Sequence, residues 1–287
     1  MVDNYIALLG TKGGPAIRPG SSMPTSNLIC LNGLQIILDC GLGVTKGLVD
    51  QGMKLENLSL IFISHLHSDH YIELGPLIHT AWTAGLKTPV KVFGPKPLER
   101  YWNNFVKSMK SDIDLRIAEE GRPDLRSLIN VNVVKEGLVI KQNGIAVKAL
   151  RTEHPPLIES FAYSFKTATC HVVFSGDTAP LETLQDFARG ADLLVHEAML
   201  KSALPSLMRR VGNASDKLMR HLLRSHTFAS DAAKTARNAG VKHLALSHLI
   251  PSDDPGIGVS EWQDAVAAQW KGQLSVGYDG IRIGLSK

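Results

Sequence analysis

The stretch Leu58-Ser-Leu-Ile-Phe-Ile-Ser64-His65-Leu-His67-Ser-Asp69-His70 decides how the rest of this chain is read. Its first seven residues form an apolar run bounded by polar neighbours, the pattern of a buried strand. The run leads straight into four ligand-type side chains. Clustered imidazoles and carboxylates suit zinc, iron or manganese, and the lack of nearby thiols argues against a structural zinc finger. On an extended or turning backbone His65 and His67 can share one side, because side chains alternate with a period of two. Asp69 and His70 follow past the bend and can turn toward a second ion. A run of ordinary surface polar residues does not account for this density at the end of an apolar strand.

A metal site of this kind needs further ligands from distant segments. His154, in Arg151-Thr-Glu-His-Pro-Pro156, and His248, in Leu244-Ala-Leu-Ser-His248, each follow a strand-like run. Asp177 follows Val172-Val-Phe-Ser-Gly176, where the glycine permits close backbone approach. Strand ends are where α/β folds place their sites, but position alone leaves each of the three open. His79, His171, His221 and His243 read as surface or packing residues. His196 ends an apolar strand and reads equally as structural or functional.

Composition sets the class. The 287 residues are 44% hydrophobic and 20% charged, as in an ordinary soluble globular enzyme able to bury a substantial core. The net charge of +4 is too weak to imply nucleic acid, although it is compatible with an anionic substrate. Cys30, Cys40 and Cys170 lie in or beside apolar runs without CxxC spacing, so buried thiols in a reducing compartment are expected. The first residues carry no signal-peptide pattern, and no run approaches the roughly 18 apolar residues of a membrane span. A cytoplasmic protein without membrane contact is the expectation.

Strand patterns come first, at 5–9, 27–31 and 34–39, the last two joined by the hairpin pair Asn32-Gly33. The Gly-, Pro- and Ser-rich loop 10–26 is long for a connector and is a candidate site wall. Helical spacing follows at 72–84 and 96–110, with a strand at 90–93 between them. Strand-like runs fill 131–175, including a hairpin at Asn143-Gly144. Helices at 181–189, 230–239 and 261–270 then alternate with strands at 193–196, 242–247 and 281–284. Two packed sheets with helices on their outer faces satisfy that order. Residues 201–225 interleave Arg209, Arg210, Lys217, Arg220 and Arg224 with Leu and Met. They read as an amphipathic helix pair or, functionally, as a basic lid over an anionic substrate.

The string Ser64-His-Leu-His-Ser-Asp-His70 resembles the HxHxDH signature of the metallo-β-lactamase superfamily. Glu153-His154-Pro155, Ser175-Gly-Asp177-Thr178 and Ser247-His248 resemble its remaining ligand motifs in order, and Asp39-Cys40-Gly41 its early Asp-x-Gly motif. The match covers nearly the whole chain. It implies an α/β fold, the αββα sandwich of two mixed sheets between helices, with 1–287 as a single domain. It further implies that His65, His67 and His154 hold one divalent ion, that Asp69, His70 and His248 hold another, and that Asp177 bridges them. Asp39 would orient the first ligand loop. Two ions, zinc by preference and manganese or iron otherwise, would activate a shared water whose hydroxide attacks the substrate, with Asp69 orienting it.

Asp192-Leu-Leu-Val-His196-Glu197-Ala198 and Ser225-His226-Thr227 resemble the ribonuclease Z branch and its arylsulfatase-like relatives. By that resemblance His226 is the general acid, oriented by Glu197. The long tRNA-gripping arm of ribonuclease Z has no room here, since only 22 residues separate His154 from Asp177. Leu74 to Gly85 and His154 to Tyr163 look like the small-molecule members, and Trp82 is either a stacking residue or core. The leading expectation is therefore a dinuclear hydrolase of a small anionic or ester substrate: a phosphodiester, sulfate ester, carboxylic ester or lactone. Nucleic acid is not expected as a partner, and a homodimer is suggested by the resemblance alone. The alternatives are a ribonuclease Z-type tRNA 3′ endonuclease, an iron-dependent oxidoreductase of the same fold, and a degenerate binding member.

Overall fold

The computed structural model describes residues 4–285. Its elements run β1 (Tyr5–Gly10), β2 (Ser26–Leu31), β3 (Leu34–Cys40), α1 (Val44–Asp50), β4 (Leu60–Phe62), α2 (Ser68–Tyr71), α3 (Leu74–Thr83), β5 (Val90–Gly94), α4 (Leu98–Ser108), α5 (Lys110–Glu120), α6 (Leu125–Leu128) and β6 (Ile129–Val133). They continue as β7 (Gly137–Gln142), β8 (Ile145–Arg151), β9 (Phe161–Lys166), β10 (His171–Phe174), α7 (Glu182–Phe187), β11 (Leu193–Met199), α8 (Leu204–Arg210), α9 (Asp216–Ser225), α10 (Ala229–Ala239), β12 (His243–Ile250), α11 (Val259–Ala267), β13 (Gln273–Val276) and β14 (Ile281–Gly284). One seven-stranded sheet has the order β14-β1-β2-β3-β4-β5-β6, the other β13-β12-β11-β10-β9-β8-β7. Each mixes antiparallel and parallel pairs.

The strands of the first sheet are apolar on successive residues because both their faces are covered. Ile6, Leu8, Ile29 and Phe62 pack with Val147, Phe165 and Val172 of the second sheet. Their neighbours Ala7, Leu28 and Ile61 instead join Leu48, Ile78 and Trp82 under α1 and α3. On the far side, Val173, Leu194 and Leu246 pack with Ala232 and Ala236 of α10 and Trp262 of α11. The layers are helix, sheet, sheet, helix, the sandwich that the resemblance implies. An aromatic group pins the seam: Phe62 stacks on Phe93 at 5.0 Å and meets Tyr163 edge-on at 5.3 Å. Such pairs contribute about 0.5–1.5 kcal/mol beyond their burial.

Several elements depart from expectation. The helix expected at 96–110 continues as α5, whose side chains are mostly charged, with only Ile113 buried, so no apolar stripe announced it. Helix α1 and strand β13 were likewise not anticipated. Residues 201–225 form the helix pair α8 and α9, tied down by the small apolar cluster of Met199, Leu204, Leu207, Val211, Leu222 and Ile250. The three cysteines are free and buried. Among the described residues no helix is long and apolar enough to cross a membrane.

Candidate metal centre

The ligand loop after β4 is fixed before any ion is considered. Tyr163 donates its hydroxyl to the carbonyl of Ile63 at 3.1 Å. Asp39, at the end of β3, accepts the Ser64 backbone N–H at 2.7 Å and the Ser64 hydroxyl at 2.9 Å. Its Oδ2 also lies 2.8 Å from Nδ1 of His70. This aspartate sits at φ 65°, a left-handed conformation that non-glycine residues seldom adopt. Two residues on, a Cβ at Gly41 would stand 2.4 Å from the Asp69 carbonyl. The Asp-x-Gly motif is thus a strained hinge whose two ends hold the two halves of the histidine loop.

Seven side chains converge there. Nδ1 of His67 is 3.2 Å from Nε2 of His65 and 2.9 Å from Nε2 of His154. Oδ2 of Asp177 stands 3.6 Å from His65 Nε2 and 3.7 Å from His154 Nε2. The same oxygen is 3.5 Å from His70 Nε2 and 3.1 Å from His248 Nε2. Asp69 Oδ2 closes that second group, 3.6 Å from His70 Nε2 and 3.5 Å from His248 Nε2. Atoms bound tetrahedrally to one zinc at about 2.0–2.1 Å stand roughly 3.3 Å apart, so both groups have ligand spacing.

A second observation supports a cation. His70 Nε2 and both ring nitrogens of His248 are buried without hydrogen-bond partners among the described residues. Each such orphan costs about 1–3 kcal/mol, which an ion would relieve. His154 Nδ1 donates to the Ser225 carbonyl at 2.8 Å, turning its Nε2 toward the cluster. Burial pushes the His65 pKa well down and that of His154 down to about 4, so both rings offer neutral lone pairs. Burial opposes charge on His70 too, but Asp177, Asp39 and Asp69 outweigh it and raise its pKa well above the usual imidazole value.

Beside the cluster, Nδ1 of His226 lies 2.8 Å from Oε2 of Glu197, whose Oε1 accepts the Thr178 N–H at 2.6 Å. His226 stacks on His248 with ring centroids 5.5 Å apart, and its ligand atom falls within 4.8 Å of those of Asp177 and His248. Although burial works against its charge, Glu197 pushes the His226 pKa up to about 9. The remaining histidines are elsewhere. His196 is buried and bonds the Glu197 carbonyl, and His79, His171 and His243 pair with Asp112, Ser164 and Ser275. Trp82 is core, its indole N–H donated to the Pro123 carbonyl, which leaves no face for a substrate.

His221 departs from its reading. Half-buried on α9, its ring lies 6.1 Å from those of His67 and His154 and 5.9 Å from that of His226. It lines a cleft of about 350 Å³ that opens over the cluster, with Lys12, Arg18, Leu207 and Leu222 among its walls. Only its place one helical turn before Ser225, whose carbonyl holds His154, could have pointed to it.

A family model described as anti-Pycsar protein Apyc1 matches residues 5–244. This chain belongs to the Apyc1 family. Relatives named ribonuclease Z accompany it. That of Mycobacterium bovis (strain BCG / Pasteur 1173P2) is 30% identical over 282 residues, covering 97% of each chain. That of Mycobacterium sp. (strain KMS) is 32% identical, covering 97% of this chain and 95% of its own. Among solved structures, the metallo-β-lactamase fold protein YhfI from Bacillus subtilis superposes with a TM-score of 0.71 at 18% identity, covering 99% of this chain and 100% of its own. The short form of human tRNase Z gives 0.70 at 18% identity, with the same coverage. These last two speak to the fold alone. The Apyc1-family chain is accordingly a metal-dependent hydrolase of the metallo-β-lactamase fold.

One expectation is corrected by these findings. A small-molecule partner to the exclusion of nucleic acid does not stand beside ribonuclease Z relatives matched along almost the whole Apyc1-family chain. The inference from net charge failed because a sum over the surface says nothing about where cations stand. Lys12 and Arg18 line the cleft itself. The missing arm was also overread: β9 and β10 do fill the segment between His154 and Asp177, but an arm concerns how a substrate is gripped, not which bond is cut.

Proposed function

We propose that this protein is a dinuclear phosphodiesterase that cleaves RNA in the manner of ribonuclease Z, with a 3′-extended tRNA as substrate. The observation that carries the reading is the paired ligand set sharing Asp177, with the His226–Glu197 pair beside it and an open cleft above, in a chain whose relatives bear a ribonuclease name. His65, His67 and His154 would hold one ion, Asp69, His70 and His248 the other, with Asp177 between them and zinc the metal that best suits the donors. Bound there, two divalent ions supply an activated water and neutralise charge at the phosphoryl oxygens.

The protein's own groups do the rest. Asp39 and Ser64 hold the ligand loop, and Ser225 holds His154. Asp69, tied by its Oδ2 to the Gly14 N–H at 2.8 Å, orients the attacking water. His226 donates its proton to the departing oxygen while Glu197 fixes its ring and balances its charge. Helices α8 and α9 act as a lid whose cleft-facing side is Leu207, Leu218, His221 and Leu222.

The test is cleavage of a 3′-extended tRNA transcript by zinc- or manganese-loaded protein, beside p-nitrophenyl sulfate and a lactone. Cleavage at one discrete position is expected. Inertness toward RNA with turnover of the sulfate or lactone would overturn the reading. His67→Ala should lose metal and activity together. His226→Ala should keep its metal and slow RNA cleavage by about 10²–10⁴-fold, the usual worth of a general acid. Unchanged turnover in His226→Ala would remove that role.

A further inference from the structure

The buried ammonium of Lys12 makes no salt bridge among the described residues, and Asp253 and Asp69 act on it only from farther than 4.0 Å. Its backbone is wedged between the entry to β2 and the end of β12: Lys12 N–H donates to the Met23 carbonyl at 3.0 Å, and Gly13 N–H to the Leu249 carbonyl at 3.1 Å. The next residues touch the metal cluster. A Cβ at Gly13 would stand 2.9 Å from Nδ1 of His248, and Gly14 N–H donates to Asp69 at 2.8 Å. Lys12 is therefore set beside both ligands by main-chain bonds, not by chance of side-chain rotation.

The side chain is only 4% exposed, yet it lines the cleft. Its Nζ donates to the Gly13 carbonyl at 2.8 Å, which leaves two of its three N–H donors without a partner among the described residues. Among the described residues no carboxylate lies within 4.0 Å of it. Asp253 is the carboxylate that acts on it most, but that group is already divided between Arg18 at 3.1 Å and Arg210 at 3.3 Å. Burial lowers the lysine's pKa, and Arg18 and Arg210 add to the strain. An apolar side chain would fill the same place at less cost, so a packing role does not explain a lysine here.

We propose that Lys12 anchors a phosphate oxygen of the substrate in this cleft, an inference that rests on the phosphodiester reading above. The anion supplies a direct counter-charge, and two charge-assisted hydrogen bonds become available as it enters. Lys12 is itself only slightly exposed to solvent, so the contact is stronger than the same pair at the surface.

Zinc-loaded wild-type protein, Lys12→Met and Lys12→Arg are titrated calorimetrically with inorganic phosphate, with zinc content and thermal midpoint measured on each. Lys12→Met is expected to bind phosphate about ten-fold more weakly, the loss for one hydrogen bond to a charged group, while Lys12→Arg retains most of the affinity. Full zinc content and an equal or higher midpoint are expected for Lys12→Met, because a buried charge without a salt bridge has gone. On RNA the same variant should raise KM far more than it lowers kcat, and flatten the salt dependence of binding by about 0.7 in log–log slope. Equal phosphate affinity in wild type and Lys12→Met would overturn the anchor. So would a lowered midpoint with lost zinc, which marks a structural lysine. Wild type that is inert toward RNA but binds phosphate through Lys12 would sink the RNA reading and leave the anchor standing. RNA cleavage with KM and phosphate affinity untouched by Lys12→Met would do the reverse.

Discussion

At the scale of single residues, Asp39 shows how much of the centre depends on a side chain that need not touch an ion. One carboxylate carries the Ser64 backbone, the Ser64 hydroxyl and the His70 ring, from a backbone conformation held at φ 65°. Asp39→Asn would put an amide N–H₂ where His70 or Ser64 needs an acceptor. Outer partners of this kind typically alter metal affinity by about 10–100-fold, so a loss in that range is expected for zinc by equilibrium dialysis. Undiminished affinity in a folded variant would show that the ligand loop holds itself. The cluster proposed to hold the ions was legible because four of its members are nearly contiguous and the others stand at or just past the ends of apolar strands. Lys12 and His221 were not. One sits in a loop whose length marked it as a site wall without marking any residue, and the other is one polar residue among many on a charged helix.

At the scale of elements, strand runs and α3 were legible because burial on both faces, or on one stripe, leaves a periodic trace. The charged helix α5 leaves none: the salt bridges of Arg116 with Asp112 and Glu120 run along its own surface, and it is docked by buried Ile113 and by His79 of α3 on Asp112 at 2.8 Å. Helices α8 and α9 are legible as amphipathic, but their attachment is not. They rest on a small apolar cluster apart from the main cores, and on Arg210, which reaches the Asp253 carboxylate at 3.3 Å and its carbonyl at 3.0 Å. Few apolar contacts mean a low local opening energy. Amides of α8 and α9 should therefore exchange faster than those of β11 and β12 in hydrogen-exchange mass spectrometry. Arg210→Ala should accelerate them further while leaving sheet amides unchanged. Uniform exchange across α9 and β12 would show the pair to be a fixed wall, not a lid.

At the scale of the whole molecule, the decisive fact is that the proposed ligands come from both sheets. His65, His67, Asp69 and His70 follow β4 of the first, whereas His154 and Asp177 follow β8 and β10, and His248 lies within β12, of the second. An ion held between them would tie the layers across the seam that Phe62, Phe93 and Tyr163 already pack. Its binding energy then acts on global unfolding and not on one loop. Free ion at a hundred times its dissociation constant contributes about 2.7 kcal/mol, which for a chain of this size raises the midpoint by roughly 5–10 °C. Zinc added to chelator-treated protein should therefore move one cooperative transition upward by that amount, as expected if 1–287 unfolds as a unit. His67→Ala should blunt the shift, because it removes the ligand nearest both His65 and His154. Differential scanning calorimetry separates the outcomes. A shift confined to one of two transitions would mean that the sheets unfold separately. No shift at all would mean that the orphaned nitrogens of His70 and His248 wait for something other than a metal.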